Sequence, residues 1–147
     1  MAIVYLSLGS NIGDRVGYLQ QAAALLGATD SINIVTTSSF YETEPWRMNS
    51  KNWFVNAVVQ ISTTLKPFEL LKECRRIERQ LGRNNKIDNN HYEDRTIDID
   101  ILFYDKEIIT TDDLKIPHQF VHKRAFVLVP MLEIAQDFVQ IGRASCR

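Results

Sequence analysis

The sequence predicts an α+β sandwich: an antiparallel sheet with its helices packed on one face. Three observations point there. Apolar runs of strand length recur along the chain, and two stretches instead carry apolar residues at helical spacing. These elements follow one another in the order β-α-β-β-α-β, the split βαβ arrangement of a ferredoxin-like sandwich. Finally, 147 residues with 45% hydrophobic and 24% charged content suit one domain around one core, without repeat or linker. The domain is assigned to residues 1–141; residues 142–147 continue no pattern and read as a frayed or non-native tail.

Residues 2–8 form an apolar run that fits a buried central strand. Gly9 to Asp14 supplies turn chemistry and a helix cap. Val16, Leu19, Ala22, Ala23 and Leu26 then make one apolar stripe, predicting a helix over 14–26 that Gly27 ends. Strand, glycine turn and helix resemble a phosphate cradle, but the P-loop and dinucleotide glycine patterns are absent, and tight turn packing accounts for the glycines. Residues 32–41 predict a second strand and 42–52 a loop carrying Glu44, Pro45 and Trp46.

A third strand follows over 53–62. Trp53, Val55, Ala57, Val59 and Ile61 make its core face, with Phe54, Asn56, Val58 and Gln60 opposite. Phe54 beside Asn56 fits an ordinary mixed sheet face; it also fits a heteroaromatic ring, which could use both a flat apolar surface and an amide. Pro67 opens the second helix, whose stripe is Leu70, Leu71, Cys74, Ile77 and Leu81, and Gly82 closes it.

Residues 84–94 are polar and aperiodic, flanked by Arg83 and Arg95. A long solvated connection and a lid over phosphates both fit this stretch. It leads into Arg95-Thr96-Ile97-Asp98-Ile99-Asp100-Ile101, a strand with Ile97, Ile99 and Ile101 inward and both aspartates outward. Two carboxylates ~6–7 Å apart on one face fit a solvated surface, or a site for a hard cation such as Mg²⁺. Residues 106–114 read as a polar hairpin or turn, and Pro117-His118 follows. His118 fits a structural role or a positive cluster with His122, Lys123 and Arg124. The apolar run 126–130 then breaks at Pro130, and 131–135 read as a short helix or turn.

Net charge is −1, so no global basic field draws the chain to nucleic acid or an anionic membrane. Cys74 and Cys146 make neither a zinc pattern nor a disulfide framework, and no signal peptide or membrane span is read. A cytoplasmic monomer acting on small molecules is the expectation. A nuclease built on the same Asp-x-Asp strand and a non-catalytic binding module are the alternatives.

Leu8-Gly9-Ser10-Asn11, Ser39-Phe40-Tyr41-Glu42-Thr43 with Pro45, Asn56-Ala57, Ile77-Glu78 with Gly82-Arg83, Arg95-Thr96-Ile97-Asp98-Ile99-Asp100 and Pro117-His118 resemble, in collinear order, the 6-hydroxymethyl-7,8-dihydropterin pyrophosphokinases. Arg124 to Leu128 with Pro130 extends the likeness over roughly the first 135 residues. It implies transfer of pyrophosphate from ATP to the hydroxymethyl of a reduced pterin, a step of folate synthesis. By that likeness Asp98 and Asp100 hold two Mg²⁺ ions, Asp98 is placed to accept the hydroxyl proton, and Arg83 and Arg95 are catalytic. Arg75, Glu78, Arg83, Ile101, His118 and Arg124 bind ATP. Phe54 and Phe126 sandwich the pterin, while Asn56, Thr43, Glu44, Pro45 and Trp46 complete its pocket. Three positions depart from the family pattern: Glu44 where proline is common, Tyr92 near a usual tryptophan, and Asp113 near a usual basic residue.

Overall fold

Nine residues of alternating and continuous apolar character, Ala2–Ser10, form the central strand β1. In a computed structural model, which describes residues 1–44, 52–82, 96–118 and 125–134, the order continues with helix α1 (Arg15–Ala28), strands β2 (Ile32–Thr37), β3 (Tyr41–Thr43) and β4 (Phe54–Thr63), and helix α2 (Pro67–Gln80). Strand β5 (Asp98–Tyr104), the short pair β6 (Ile109–Thr110) and β7 (Lys115–Ile116), and helix α3 (Ala125–Ile134) complete it. The sheet runs β2-β4-β1-β5, all antiparallel, with β3 also paired to β4. With β2 and β3 taken as one interrupted strand, this is the ferredoxin-like order.

Helices α1 and α2 cover one face, and period 2 explains how. Val4, Leu6 and Leu8 of β1, Val55, Ala57, Val59 and Ile61 of β4, and Ile97, Ile99 and Ile101 all point into one core with Leu19, Ala22, Leu26, Leu70, Cys74 and Ile77. Each fully buried Leu or Ile contributes about 1.5–3 kcal/mol. Cys74 lies within this core, and burial pushes its thiol up to about 12, so it is no nucleophile at neutral pH.

The elements differ from expectation in five places. Gly9 and Ser10 belong to β1 rather than to the turn, because their backbones still pair with Asn56 and Val55. Helix α1 runs through Gly27 to Ala28, held by the Thr29 hydroxyl donating to the Leu25 carbonyl (3.1 Å) and the Thr29 amide donating to Leu26 (3.2 Å). The second strand is split, since the Ser38 hydroxyl takes the Val58 amide at 2.9 Å in place of a backbone carbonyl. Trp53, expected inward, precedes β4 and is exposed.

The fifth difference is α3, which continues through Pro130 where a break was expected, and which lies on the opposite sheet face. There Val127 and Met131, one turn apart, pack on Val58 and Leu102. Burying this apolar pair offsets the hydrogen bond that proline removes. A bulge in β5 helps. Tyr5 pairs with Phe103 but Leu6 pairs with Ile101, so Leu102 is an extra residue, and both Leu102 and Phe103 join the α3 cluster. Glu133 anchors the far end of α3, accepting from the Ser39 amide (3.0 Å), the Ser39 hydroxyl (2.7 Å) and the Tyr41 phenol (2.6 Å).

Candidate active site

Beyond the reach of the α3 cluster, the same sheet face becomes polar. Antiparallel registers place Asn56 of β4 opposite Gly9 of β1, and Gly9 opposite Asp98 of β5. The next row is Val58, Ser7 and Asp100. Both aspartates therefore face the side that carries Phe54 and Asn56. With strands ~4.8 Å apart, Asn56 and Asp98 stand on the order of 10 Å apart across a floor with no side chain at its centre.

That floor depends on Gly9. A Cβ there would lie 2.9 Å from Asn56 Oδ1 and 3.5 Å from Phe54 Cδ1. A glycine inside a strand signals close approach by another group, and this was the available sequence cue. The Asn56 amide is buried and oriented, its Nδ2 donating to Thr43 Oγ1 at 2.6 Å. The start of β4 is tied down from the β1–α1 turn. Asn11 Nδ2 donates to the Asn52 carbonyl (3.3 Å), and Arg15 donates to the Trp53 carbonyl (2.9 Å) while pairing with Glu42 at 2.8 Å.

On the other flank, β5 is an edge strand, yet outer backbone groups at Ile99 and Leu102 are occupied. The Ile99 amide donates to Glu78 Oε2 (2.8 Å) and its carbonyl accepts from Arg75 Nη1 (3.1 Å). Arg75 Nη1 also lies 2.9 Å from both Glu78 oxygens. Burial is the largest influence on the Arg75 guanidinium and acts to lower its pKa. The charges of Glu78, Asp100 and Asp98 outweigh it and hold the group above its ordinary range, so Arg75 stays charged. Farther along, the His118 amide donates to the Leu102 carbonyl (3.0 Å), and His118 Nε2 lies 3.9 Å from Asp100 Oδ1. A cis peptide bond joins Ile116 to Pro117, just before His118.

Arg75, Asp100, Ile101 and His118 line one cleft of ≈ 130 Å³ together with Leu71 and Lys115. Asp112 and Asp113 stand at the same cleft. Leu71, expected in the core stripe, is thus partly given to the cleft. Lys115, two residues after Asp113, puts a cation there.

Of the candidate residues, Thr43, Phe54, Asn56 and Asp98 gather on the floor, and Asp100, Arg75, Ile101 and His118 gather at the cleft beside it. Glu78 lies beneath, only 1% exposed. Glu44 follows β3 and is exposed. Pro45, Trp46, Arg83, Arg95 and Arg124 lie outside the described residues, as do the side chain of Phe126 and the stretch 84–94.

The aspartate pair has the donor chemistry of a magnesium site. Two half-buried carboxylates on one face offer hard oxygens, and Mg²⁺ is usually held by one or two carboxylates with phosphates completing its shell. Two residues before Asp98, the Thr96 hydroxyl is buried without a hydrogen-bond partner among the described residues, a polar group ready for a ligand or water.

Residues 5–136 match the family model for 7,8-dihydro-6-hydroxymethylpterin-pyrophosphokinase (HPPK). The chain belongs to this family. A 2-amino-4-hydroxy-6-hydroxymethyldihydropteridine pyrophosphokinase of Methylorubrum extorquens is 45% identical over 147 residues, covering 100% of this chain and 90% of its own. The enzyme of the same name from Bacillus subtilis is 44% identical over 135 residues, covering 92% and 79%. In fold, the chain is similar to the wild-type Plasmodium falciparum HPPK-DHPS crystallised with pteroate, with a TM-score of 0.71 at 16% identity. That match covers 90% of this chain and 40% of the Plasmodium chain. The HPPK chain described here is therefore a pyrophosphokinase of ferredoxin-like fold, and no helix among its described residues is long and apolar enough to cross a membrane.

Proposed function

We propose that this chain carries out its family's reaction, transfer of pyrophosphate from ATP to 6-hydroxymethyl-7,8-dihydropterin in folate biosynthesis, on the floor between Asn56 and Asp98. The observation that carries the proposal is the row Asn56–Gly9–Asp98, which puts an amide that can read a ring and a carboxylate that can meet its substituent on one face. The Thr43 hydroxyl fixes the Asn56 amide, so a ring lacking complementary groups would leave a buried amide unpaired, which is a strong basis for rejection. The Phe54 ring beside Gly9 supplies one stacking surface, and Phe126 is assigned the second. Thr43, Glu44, Pro45 and Trp46 are assigned to the rest of the pocket.

Asp98 and Asp100 would hold Mg²⁺, two ions by family resemblance. Bound there, the metal would supply neutralisation of the polyphosphate and polarisation of the transferred group. Asp98, nearer Asn56, is the residue positioned to accept the hydroxymethyl proton. The cleft of Arg75, Ile101, His118 and Lys115 takes the nucleotide on the outer side of Asp100. Arg83, Arg95 and Arg124 are assigned to phosphate charge, since planar guanidiniums suit phosphoryl oxygens. The buried free thiol of Cys74 fits a reducing cytoplasm, and we take the site to be formed within a monomer by a domain of residues 1–141.

Incubation with ATP, Mg²⁺ and the reduced pterin is expected to release AMP in step with pterin diphosphate, and EDTA is expected to stop it. ADP or free phosphate as the nucleotide-derived product overturns the proposal.

A further inference from the structure

Ile99 stands between the two aspartates, and its backbone is held from outside the sheet. Opposite Leu8 in the ladder, it turns its amide and carbonyl away from β1. The next element in that direction is not a strand but α2, which contributes a carboxylate to the amide and a guanidinium to the carbonyl. Glu78, only 1% exposed, has both oxygens within 2.9 Å of Arg75 Nη1, and Oε2 also takes the Ile99 amide. Burying a carboxylate is costly unless it is paired and hydrogen-bonded, and here both conditions are met by groups that lead to one backbone unit. An exposed edge amide can be satisfied by water without burying any charge. The arrangement therefore does something beyond satisfying a donor: it fixes the segment from which Asp98 and Asp100 project.

We propose that Glu78 is a positioning residue for the aspartate pair. It acts through the Ile99 amide to hold the two carboxylates at a fixed separation and, in place of the ATP contact that the family resemblance implies for it, does not itself touch nucleotide. The proposal rests on the magnesium role of Asp98 and Asp100 given above. Groups that order metal-binding side chains from behind typically change metal affinity by about 10–100-fold when removed.

The test is calorimetric titration of a non-hydrolysable ATP analogue into Glu78→Ala and Glu78→Gln, once with Mg²⁺ and once in EDTA, with amide hydrogen exchange on the segment containing Ile99. For Glu78→Ala the expected result is analogue binding weakened at least about tenfold with Mg²⁺, no comparable loss in EDTA, and faster exchange at Ile99. Glu78→Gln keeps a carbonyl for the Ile99 amide, so it should keep most of the exchange protection and most of the Mg²⁺-dependent affinity. Equal losses with and without Mg²⁺ mark Glu78 as a nucleotide contact and overturn the proposal. Faster exchange at Ile99 with unchanged Mg²⁺-dependent affinity also overturns it. Should Glu78→Ala not fold, Glu78→Gln decides: retained protection with a tenfold Mg²⁺-specific loss is incompatible with action through the Ile99 amide. If Mg²⁺ gives the wild type no gain over EDTA, and Asp98→Asn and Asp100→Asn behave as wild type, the magnesium site itself is wrong. The proposed function then fails independently of anything Glu78 does.

Discussion

The two flanks of the site are held in different ways. On the β4 flank, Asn56 is oriented by one side-chain bond, to the Thr43 hydroxyl on a three-residue strand. On the β5 flank, the backbone between the aspartates is held from α2 by Arg75 and Glu78, an ion pair whose acid is buried. A ring reader needs one amide in one orientation, and a neighbour's hydroxyl is enough for that. A pair of like charges needs a fixed spacing, and only the main chain can set the spacing of residues i and i+2. If the proposed roles hold, the Asn56 flank should be sensitive to small steric changes, and the aspartate flank to loss of a single acid.

The largest effect expected is on the charged flank. Asp98→Ala and Asp100→Ala should each lower kcat/KM by about 10³-fold or more, since the metal role is worth several kcal/mol and each 1.36 kcal/mol is tenfold in rate. Circular dichroism should show the fold retained, because neither side chain is part of the core. Turnover within tenfold of wild type in both variants would remove the charge-bearing role from this flank.

A smaller effect is expected on the reading flank. Gly9→Ala brings a methyl to 2.9 Å from Asn56 Oδ1, and the buried amide can yield only by giving up Thr43. Pterin affinity should fall about tenfold, the scale of one hydrogen bond, with ATP affinity nearly unchanged. Fluorescence titration with each substrate separates the two, and an equal loss for both would mean the flanks are not independent.

The smallest effect lies away from both flanks, at Glu133. Hydrogen bonds from Tyr41 and Ser39 hold its carboxyl below the ordinary 4.5. A folded-state pKa below the unfolded one stabilises above the unfolded value, and that contribution is lost as pH falls through the folded value. Glu133→Gln should therefore melt with a shallower dependence on pH below about 4.5 than wild type does. Parallel acid melting curves would show that this contact adds nothing measurable.

What the sequence makes legible follows from period. Alternation in Ile97-Asp98-Ile99-Asp100-Ile101 set the inward and outward faces, and the structure keeps them up to Ile101. The bulge at Leu102 breaks the alternation, and no turn residue announces it. Ser38 ends β2 by lending a hydroxyl to the ladder, which in the chain looks like one more strand-compatible residue. Pro130 reads as a stop, yet the cluster with Val58 and Leu102, distant in sequence, carries the helix past it. Arg75 and Glu78 look like a surface pair at i and i+3 on α2, beside the stripe rather than in it. Only the approach of β5 buries the acid and gives it a second partner. The row Asn56–Gly9–Asp98 depends on two registers, and register between distant strands is not written in any local stretch.

The occupied border of β5 has one more consequence. A strand with vacant amides and carbonyls along its rim is a template onto which a stranger's chain can zip, the usual route by which sheet proteins clump. In this molecule the rim offers no such template at Ile99 or Leu102, where α2 and the segment after β7 have taken the hydrogen-bonding groups first. Thus the groups that steady the acids also keep the border closed to unwanted company.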